Sequence, residues 1–210
     1  MVDPKSRGSD NKQRKGMGAF ALIAILILVV GLLFTFSLSN YNTYAFRKIS
    51  RHLTLWKGKL SPTAYEIVDS FEPLEVGDAE VENLTERSFV GKASAYRALF
   101  SYLLDEIGGE IAKGDEASLD RISRLLQRAE SILEMRRKDD GSLTAPRLQL
   151  AKMHVAFGQM TLRNAYQKAM PAYEEALSKG LGNSVELQSE LEQMKIFLKR
   201  ADNHIIIENP

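Results

Sequence analysis

The sequence has no cysteine and only three histidines among its 210 residues. The absence of cysteine excludes disulfide bonds, thiolate catalysis and cysteine-bound zinc or iron–sulfur clusters. His52, His154 and His204 are far apart in sequence, and the residues three and four positions from His154 are apolar or glycine. Lone histidines of this kind rarely bind metals. We therefore predict no metal site and no cofactor.

The charged residues also lack a dominant sign, because 28 Lys and Arg nearly balance 27 Asp and Glu. Such a balance produces no strong field toward nucleic acid. The adjacent carboxylates Glu174 and Glu175 point apart on a helix, so they do not make an acid–base pair. The segment "GGEIAKGDEAS" lacks the spacing of a phosphate-binding loop. The sequence thus predicts a protein that is not an enzyme, with no nucleic-acid partner and no small-molecule substrate.

One long apolar run is present, "GAFALIAILILVVGLLFTFSL", from Gly18 to Leu38. About 20 apolar residues in a helix span the roughly 30 Å hydrocarbon core of a bilayer. A cleaved signal peptide is the alternative, because Ser37-Leu38-Ser39 places small residues before Asn40, but its apolar region is usually only about 7–15 residues long. We predict an uncleaved transmembrane anchor over residues 17–39, in contact with the lipid bilayer.

Lysines and arginines near the two ends of this run predict its orientation. Three basic residues adjoin its N-terminal end, whereas those on the far side begin about two helical turns away. This asymmetry places the N-terminus in the cytoplasm and the C-terminal domain in the periplasm or another extracytoplasmic space. The expected location is the inner (cytoplasmic) membrane, crossed once. Residues 1–16 have no apolar periodicity and predict a disordered basic tail.

Beyond the anchor, apolar residues recur at helical spacing, which predicts an all-α class with about seven helices over residues 40–202. Two arrangements fit, an α-solenoid of helix pairs or a compact bundle. The predicted helices cover "NTYAFRKISRHLTLWKGKL", "TAYEIVDSFEPL", Leu84–Ile107, "DEASLDRISRLLQRAESILEM", "RLQLAKMHVAFGQMTL", "YQKAMPAYEEALSKG" and "SVELQSELEQMKIFLKRA".

Local signals set several of these boundaries. Ser61-Pro62 is expected to open the second helix, and Gly108-Gly109 to interrupt or end the third. Gly180 and Gly182 are stop signals, and Asn183 with Glu186 resembles a capping box for the last helix.

Residues Leu148 to Asn183 resemble one tetratricopeptide repeat, a helix hairpin of about 34 residues. The resemblance rests on Phe157-Gly158 in a first helix and on Ala169, Tyr173 and Ala176 in a second. Ala129 is a weaker echo of Ala176, although the 47-residue spacing is longer than the usual period. The resemblance implies a helical-repeat surface on which these residues pack helices together and other proteins bind.

Two further groups of residues, one beside the anchor and one at the C-terminus, have candidate roles in binding. The basic residues beside the anchor are predicted to contact anionic lipid head groups or merely to fix topology, and both alternatives stay open. They are Arg47, Lys48, Arg51, Lys57 and Lys59. The C-terminal tail, residues 203–210, carries Ile205, Ile206 and Ile207, which either fold back on the last helix pair or form an arm that docks on a partner's sheet edge.

Together these features predict a membrane-anchored protein-interaction scaffold, or an accessory factor for assembly or maturation. The alternative is a non-catalytic structural subunit of a larger membrane protein complex, in which the anchor packs against other membrane helices. Small residues in the anchor, among them Ala24 and Gly31, favour that alternative.

Overall fold

A computed structural model of the chain describes residues 10–61, 63–76, 81–137 and 143–204. The chain divides into two compact units, residues 1–95 and 96–210. In chain order the elements are α1 (Asp10–Tyr41), β1 (Thr43–Ile49), β2 (His52–Gly58), β3 (Tyr65–Ile67), β4 (Leu74–Glu75), α2 (Glu82–Thr85), β5 (Ser88–Val90), α3 (Lys92–Lys113), a 3-10 turn (Glu116–Ser118), α4 (Leu119–Arg137), α5 (Thr144–Ser178) and α6 (Ser184–His204).

Helix α1 confirms the predicted apolar N-terminal helix. Its segment Leu22–Tyr41 is 20 residues long and is long and apolar enough to cross a membrane. The side chains from residue 22 to residue 36 are all exposed, as lipid-facing side chains would be. The helix begins at Asp10, so residues 10–16, predicted as part of a disordered tail, are helical. Residues 1–9 of that tail lie outside the described residues.

The first unit also contains a five-stranded antiparallel sheet, and the prediction of a purely all-α chain was wrong here. The strand order is β3-β2-β1-β5, and β4 pairs with the other end of β2. Strands β1 and β2 form a hairpin whose two-residue turn begins at Ser50, with a φ of 55°. The segment "NTYAFRKISRHLTLWKGKL", predicted as the first helix, is this hairpin. The domain predicted over residues 40–202 is therefore not helical throughout.

One face of the sheet forms the core of the first unit. Phe46, Leu53 and Leu55 are completely buried on this face. The Phe46 ring makes edge contacts with Phe71 and Phe89, at centroid distances of 6.0 and 5.7 Å. The segment that follows β3 supplies the rest of this core, with Leu74, Val76, Val81 and Leu84. Short strands and the four-residue α2 thus replace the second predicted helix and the start of the third.

The second unit is helical, but two of its boundaries differ from prediction. Helix α3 continues through Gly108-Gly109 to Lys113, because Leu103, Ile107 and Ile111 form a buried stripe that outweighs the poor helix propensity of two glycines. Helix α4 matches the predicted amphipathic helix, with Ile122, Ala129 and Ile132 fully buried. Helix α5 is one helix of 35 residues where two were predicted, and Pro171 lies inside it.

The turn between α5 and α6 follows the sequence signals. Gly180 and Gly182 both have positive φ, 63° and 76°, a conformation that glycine adopts at little cost. The Asn183 side chain then caps α6, because its Oδ1 accepts a hydrogen bond from the Val185 amide at 3.2 Å. The predicted N-cap is confirmed. Helix α6 reaches His204, so the tail predicted from residue 203 begins within it.

The cap gives a measurable expectation. Asn183→Ala removes the acceptor and should lower the free energy of unfolding of the second unit by about 1 kcal/mol. Asn183→Asp retains an acceptor and adds a negative charge at the helix N-terminus, so it should be neutral or stabilising. Thermal unfolding of the full chain in detergent, followed by circular dichroism, measures both. Equal melting temperatures for the two variants would contradict the cap.

Candidate functional site

The C-terminal end of α1 is fixed to the sheet by one buried amide, that of Asn40. Its Nδ2 donates to the backbone carbonyls of Lys59, Ser61 and Ala64, at 3.2, 2.6 and 3.0 Å. The loop that carries these carbonyls is itself closed by a hydrogen bond from the Lys59 amide to the Ala64 carbonyl, at 2.8 Å. The last turn of α1 is therefore tied to the β2–β3 loop. We call Asn40, Gly58 and the loop residues 59–61, 63 and 64 the anchor junction.

Gly58 lets the helix approach the sheet this closely. A Cβ atom built on Gly58 would lie 1.9 Å from the Asn40 carbonyl oxygen, far inside contact distance. Glycine is required because the main chain of α1 passes over this point of β2. Gly58 is paired with Tyr65 and lies two residues from Trp56, so all three belong to the same face of the sheet. Helix α1 thus joins the sheet on the face opposite the core.

The five basic residues predicted to contact lipid lie around this hairpin on both faces instead of along one helix. The Arg47 guanidinium lies over Trp56 at 4.6 Å and over Tyr65 at 5.2 Å from the ring centroids. The Lys57 ammonium lies 4.1 Å from the Tyr41 ring centroid. Lys59 forms an ion pair with Glu66 at 3.3 Å. Arg51 lies in the hairpin turn, and Lys48 lies near the end of β1. Their contact with lipid stays a prediction.

A second candidate surface runs along α5. Six small or apolar residues on it are exposed and alternate at three- and four-residue spacing. Three of them are large, with exposed fractions of 59% for Leu148, 61% for Val155 and 39% for Leu162. The space beside Gly158 is open, with no atom within 4 Å of a Cβ placed there. We call this set the α5 stripe: Leu148, Ala151, Val155, Gly158, Leu162 and Ala165.

The charges around the α5 stripe have one sign. Residues 144–173 contain four Lys or Arg, one histidine and no Asp or Glu. On the side that faces α4, His154 pairs with Glu130 at 3.0 Å and Arg147 with Glu134 at 4.0 Å. Lys152 is exposed beside Leu148 and Val155. On α5 itself the side chains that flank the stripe are basic or neutral, and on the α4 side the carboxylates of Glu130 and Glu134 pair with two of them.

The residues assigned to repeat packing are distributed differently from the prediction. Phe157, Gly158, Ala169, Tyr173 and Ala176 all lie on α5, so they do not form a helix hairpin with each other. Ala129 is fully buried on α4, the helix that follows α3. The hairpin that is present pairs the C-terminal half of α5 with α6.

Aromatic and polar contacts hold the α5–α6 hairpin. The Tyr166 and Phe197 rings meet edge to face at 5.1 Å. Tyr173 donates a hydrogen bond to Glu190, and this bond raises the pKa of the Tyr173 hydroxyl. Lys195 pairs with Glu174 at 3.6 Å. Ile205, Ile206 and Ile207, the proposed docking arm, lie outside the described residues.

Sequence reasoning did not identify a buried ion cluster that joins α3 to α4. Glu110 is 4% exposed and accepts hydrogen bonds from Lys113 at 2.9 Å and Ser118 at 2.8 Å. Arg121 lies 3.1 Å from Glu110 and 2.9 Å from Glu106. The Lys113 and Ser118 hydrogen bonds, followed by the Arg121 charge, lower the pKa of Glu110 despite its burial. The cluster is built for stability, because its acceptors are occupied by the chain's own donors.

Within the described ranges, no group of three or more His, Asp or Glu side chains is placed to hold a metal ion. Comparison of the chain with protein-family models, curated proteins and solved structures found no match.

Proposed function

We propose that this chain is a membrane-anchored interaction protein, a scaffold or an accessory factor for assembly or maturation, whose α5 stripe binds a helix of another protein. The observation that carries the proposal is the α5 stripe itself. Helices of folded units bury their apolar stripes, so an exposed row of large and small apolar residues marks an interaction surface.

The spacing of the stripe supports a helix as the ligand. Leu148, Val155 and Leu162 follow each other at seven residues, and small residues stand three positions after each of them. This is the a and d pattern of helix pairs, in which side chains of one helix enter holes on the other. The open space beside Gly158 gives a partner helix room for close approach.

The charges support one kind of partner. On α5 the flanks of the stripe carry Lys152 and Arg147 and no carboxylate. Arg147 is paired with Glu134 of α4, so Lys152 is the charge that would attract a second helix with acidic flanks. Two copies of this chain would bring basic flanks together instead, which opposes self-association through this surface. We therefore infer an amphipathic helix of a different protein, apolar on one side and acidic at its edges.

The basic residues before the apolar run support an orientation with the N-terminus in the cytoplasm. In this orientation α1 holds the sheet and the helical unit at the outer surface of the cytoplasmic membrane. The partner helix would then belong to a periplasmic or otherwise extracytoplasmic protein.

A structural subunit of a membrane complex is the second candidate. It is favoured by Gly31, where a Cβ would meet no atom within 4 Å, so a neighbouring membrane helix has room to pack closely. In that case α1 carries the principal contact, and the α5 stripe is incidental.

Because the chain has no cysteine, single introduced thiols can test both the partner on the α5 stripe and the orientation of the chain in the membrane. Val155→Cys places a thiol in the α5 stripe, and Ser189→Cys places a matched thiol on an exposed position of α6. Each full-length variant is expressed in cells of the source organism and treated with a membrane-impermeant maleimide. The labelling rate is compared with that of the same variant purified in detergent.

We expect the Val155→Cys variant to react at least about five-fold more slowly in cells, because a bound helix covers it, and the Ser189→Cys variant to react equally in both. Equal rates for both variants would reject a partner on the α5 stripe and favour the structural subunit. Labelling of the Ser189→Cys variant only after cell lysis would reverse the orientation.

A further inference from the structure

The sheet of the first unit has one covered face and one open face. In an antiparallel sheet, directly paired residues project to the same side, and alternate residues project to opposite sides. The side opposite Phe46 and Leu55 therefore carries Ala45, Arg47 and Ile49. It also carries the residues paired with them on β2 and β5, and those that continue these pairs onto β3. We call the following set the open face: Arg47, Ile49, Trp56, Tyr65, Ile67 and Val90.

The open face groups three aliphatic and two aromatic side chains, which is unusual for a sheet surface in contact with water, although the same side also carries the polar residues Thr43, His52, Thr54, Ser88 and Glu75. Its three aliphatic residues are largely exposed, with exposed fractions of 47% for Ile49, 49% for Ile67 and 76% for Val90. In soluble antiparallel sheets the outer face normally carries polar residues. The only carboxylate among the paired residues of this face is Glu75, which lies opposite His52 at the end of β2 away from Gly58.

The aromatic centre of the open face is held in place before any ligand arrives. The indole Nε1 of Trp56 donates to the Thr54 hydroxyl at 2.9 Å, and that hydroxyl donates to the Arg47 carbonyl at 2.9 Å. The Arg47 guanidinium then stacks over the indole ring. A guanidinium over an aromatic ring keeps its edge available for hydrogen bonds to phosphate.

The attachment of α1 determines which surface lies next to the open face. The α1 main chain crosses Gly58 on this same face, and Asn40 ties it to the loop beside Tyr65. Between Leu22 and Phe36 the side chains of α1 are exposed, so the helix leaves the sheet after its last turn. A bilayer that surrounds this segment therefore begins beside the Gly58–Tyr65 end of the open face.

We propose that the open face rests on the head-group region of the leaflet that α1 enters, with Trp56 and Tyr65 at the interface and Arg47 bound to lipid phosphate. Trp and Tyr concentrate at this depth in membrane proteins because one end of each is apolar and the other polar. An arginine close to anionic lipid adds electrostatic attraction. The inference rests on the proposed membrane anchoring by α1 and extends it to the sheet.

Trp56 is the single tryptophan of the chain, so the natural protein contains its own reporter. The full chain is reconstituted in phosphatidylcholine vesicles with and without phosphatidylglycerol, and with acyl chains brominated near the head group or left unbrominated. Selective excitation of the indole measures quenching. Flotation and resistance to alkaline extraction measure insertion of α1 separately.

We expect brominated lipid to reduce Trp56 emission by about two-fold, and phosphatidylglycerol to increase this quenching. Arg47→Gln should remove about half of the phosphatidylglycerol effect. Lys199→Gln lowers the charge equally at an exposed position of α6, outside the open face and the basic set beside α1, and it should leave the effect unchanged.

The alternatives give different results. Inserted protein with no quenching by brominated lipid overturns the contact while the anchor stands. Aqueous iodide, added as a second quencher, measures whether water reaches Trp56. If the protein is inserted and neither iodide nor brominated lipid quenches Trp56, another protein surface covers the open face, and this result also overturns the proposal. Chain that neither floats nor resists extraction overturns both the anchor and the contact.

Discussion

Replacing Gly58 by valine should destabilise the first unit by about 3 kcal/mol, the largest effect expected of a single substitution outside the hydrophobic core. The Cβ atom alone would lie 1.9 Å from a main-chain oxygen of α1, and backbone cannot move aside as a flexible side chain can. The last turn of α1 must therefore leave its place, and the three carbonyls bound to Asn40 lose their donor. Thermal unfolding and limited proteolysis of the full chain in detergent should both reveal the loss.

A matched control separates the junction from a general effect of glycine replacement. Gly31 lies in the membrane segment of the same helix, where an added Cβ meets nothing within 4 Å. Gly31→Ala should leave stability unchanged or raise it slightly, because alanine favours helix. If the Gly58→Val variant melts together with the wild type, the close approach at the anchor junction is not present in solution.

The anchor junction has a mechanical consequence. A flexible linker after α1 would let the sheet tumble, whereas a buried amide with three carbonyl partners fixes the sheet relative to α1. The open face and the head groups are then held beside each other by one short connection. This is why the contact of Trp56 with lipid is expected without any further partner.

The long apolar helix α1 was predictable because length and apolarity decide it without tertiary information. The α4 helix and the cap at Asn183 were predictable for a similar reason, since both depend on residues within a few positions of each other. The β1–β2 hairpin was not. Tyr44, Ile49, Leu53 and Trp56 fit a helical stripe, while Tyr44, Phe46, Leu53 and Leu55 fit two alternating strands joined by a two-residue turn.

Tertiary pairing decided between these two patterns. Strand β1 gains partners on both sides, β2 and β5, and Phe46 gains the Phe71 and Phe89 rings from residues far along the chain. Such contacts override local helix propensity and leave no short-range signal. One clue was available, since a glycine within a strand often marks close approach of another backbone, as at Gly58.

The α5 stripe was also readable in principle. The seven-residue spacing of Leu148, Val155 and Leu162 is a sequence property, and all three fall within the one predicted helix "RLQLAKMHVAFGQMTL". Only their exposure required the structure. A continuous helix places all three on one side. The tetratricopeptide resemblance rested on a helix pair within this stretch, and the pair formed by α5 and α6 lies later in the chain.

The last large effect concerns Glu110, whose carboxylate joins α3 to the start of α4. Glu110→Gln retains the shape of the side chain but removes the charge that Lys113, Ser118 and Arg121 bind. We expect a loss of about 2 kcal/mol at neutral pH. This is less than for a fully buried pair because Lys113 and Arg121 are half-exposed and water screens their charges. The exposed Glu174→Gln serves as control and should cost no more than about 0.5 kcal/mol.

The pH dependence identifies the cause of that loss. The hydrogen bonds lower the pKa of Glu110 in the folded state below its ordinary value of 4.5. A lowered folded-state pKa stabilises the fold fully above the unfolded-state pKa, and this stabilisation disappears as the pH falls through the folded-state pKa. The wild type should therefore exceed the Glu110→Gln variant in stability by a constant amount at neutral pH. The two should converge as the pH falls below about 4.5. Urea unfolding of both proteins across this range measures the difference, and a gap that persists undiminished in acid would assign the loss to packing instead of charge.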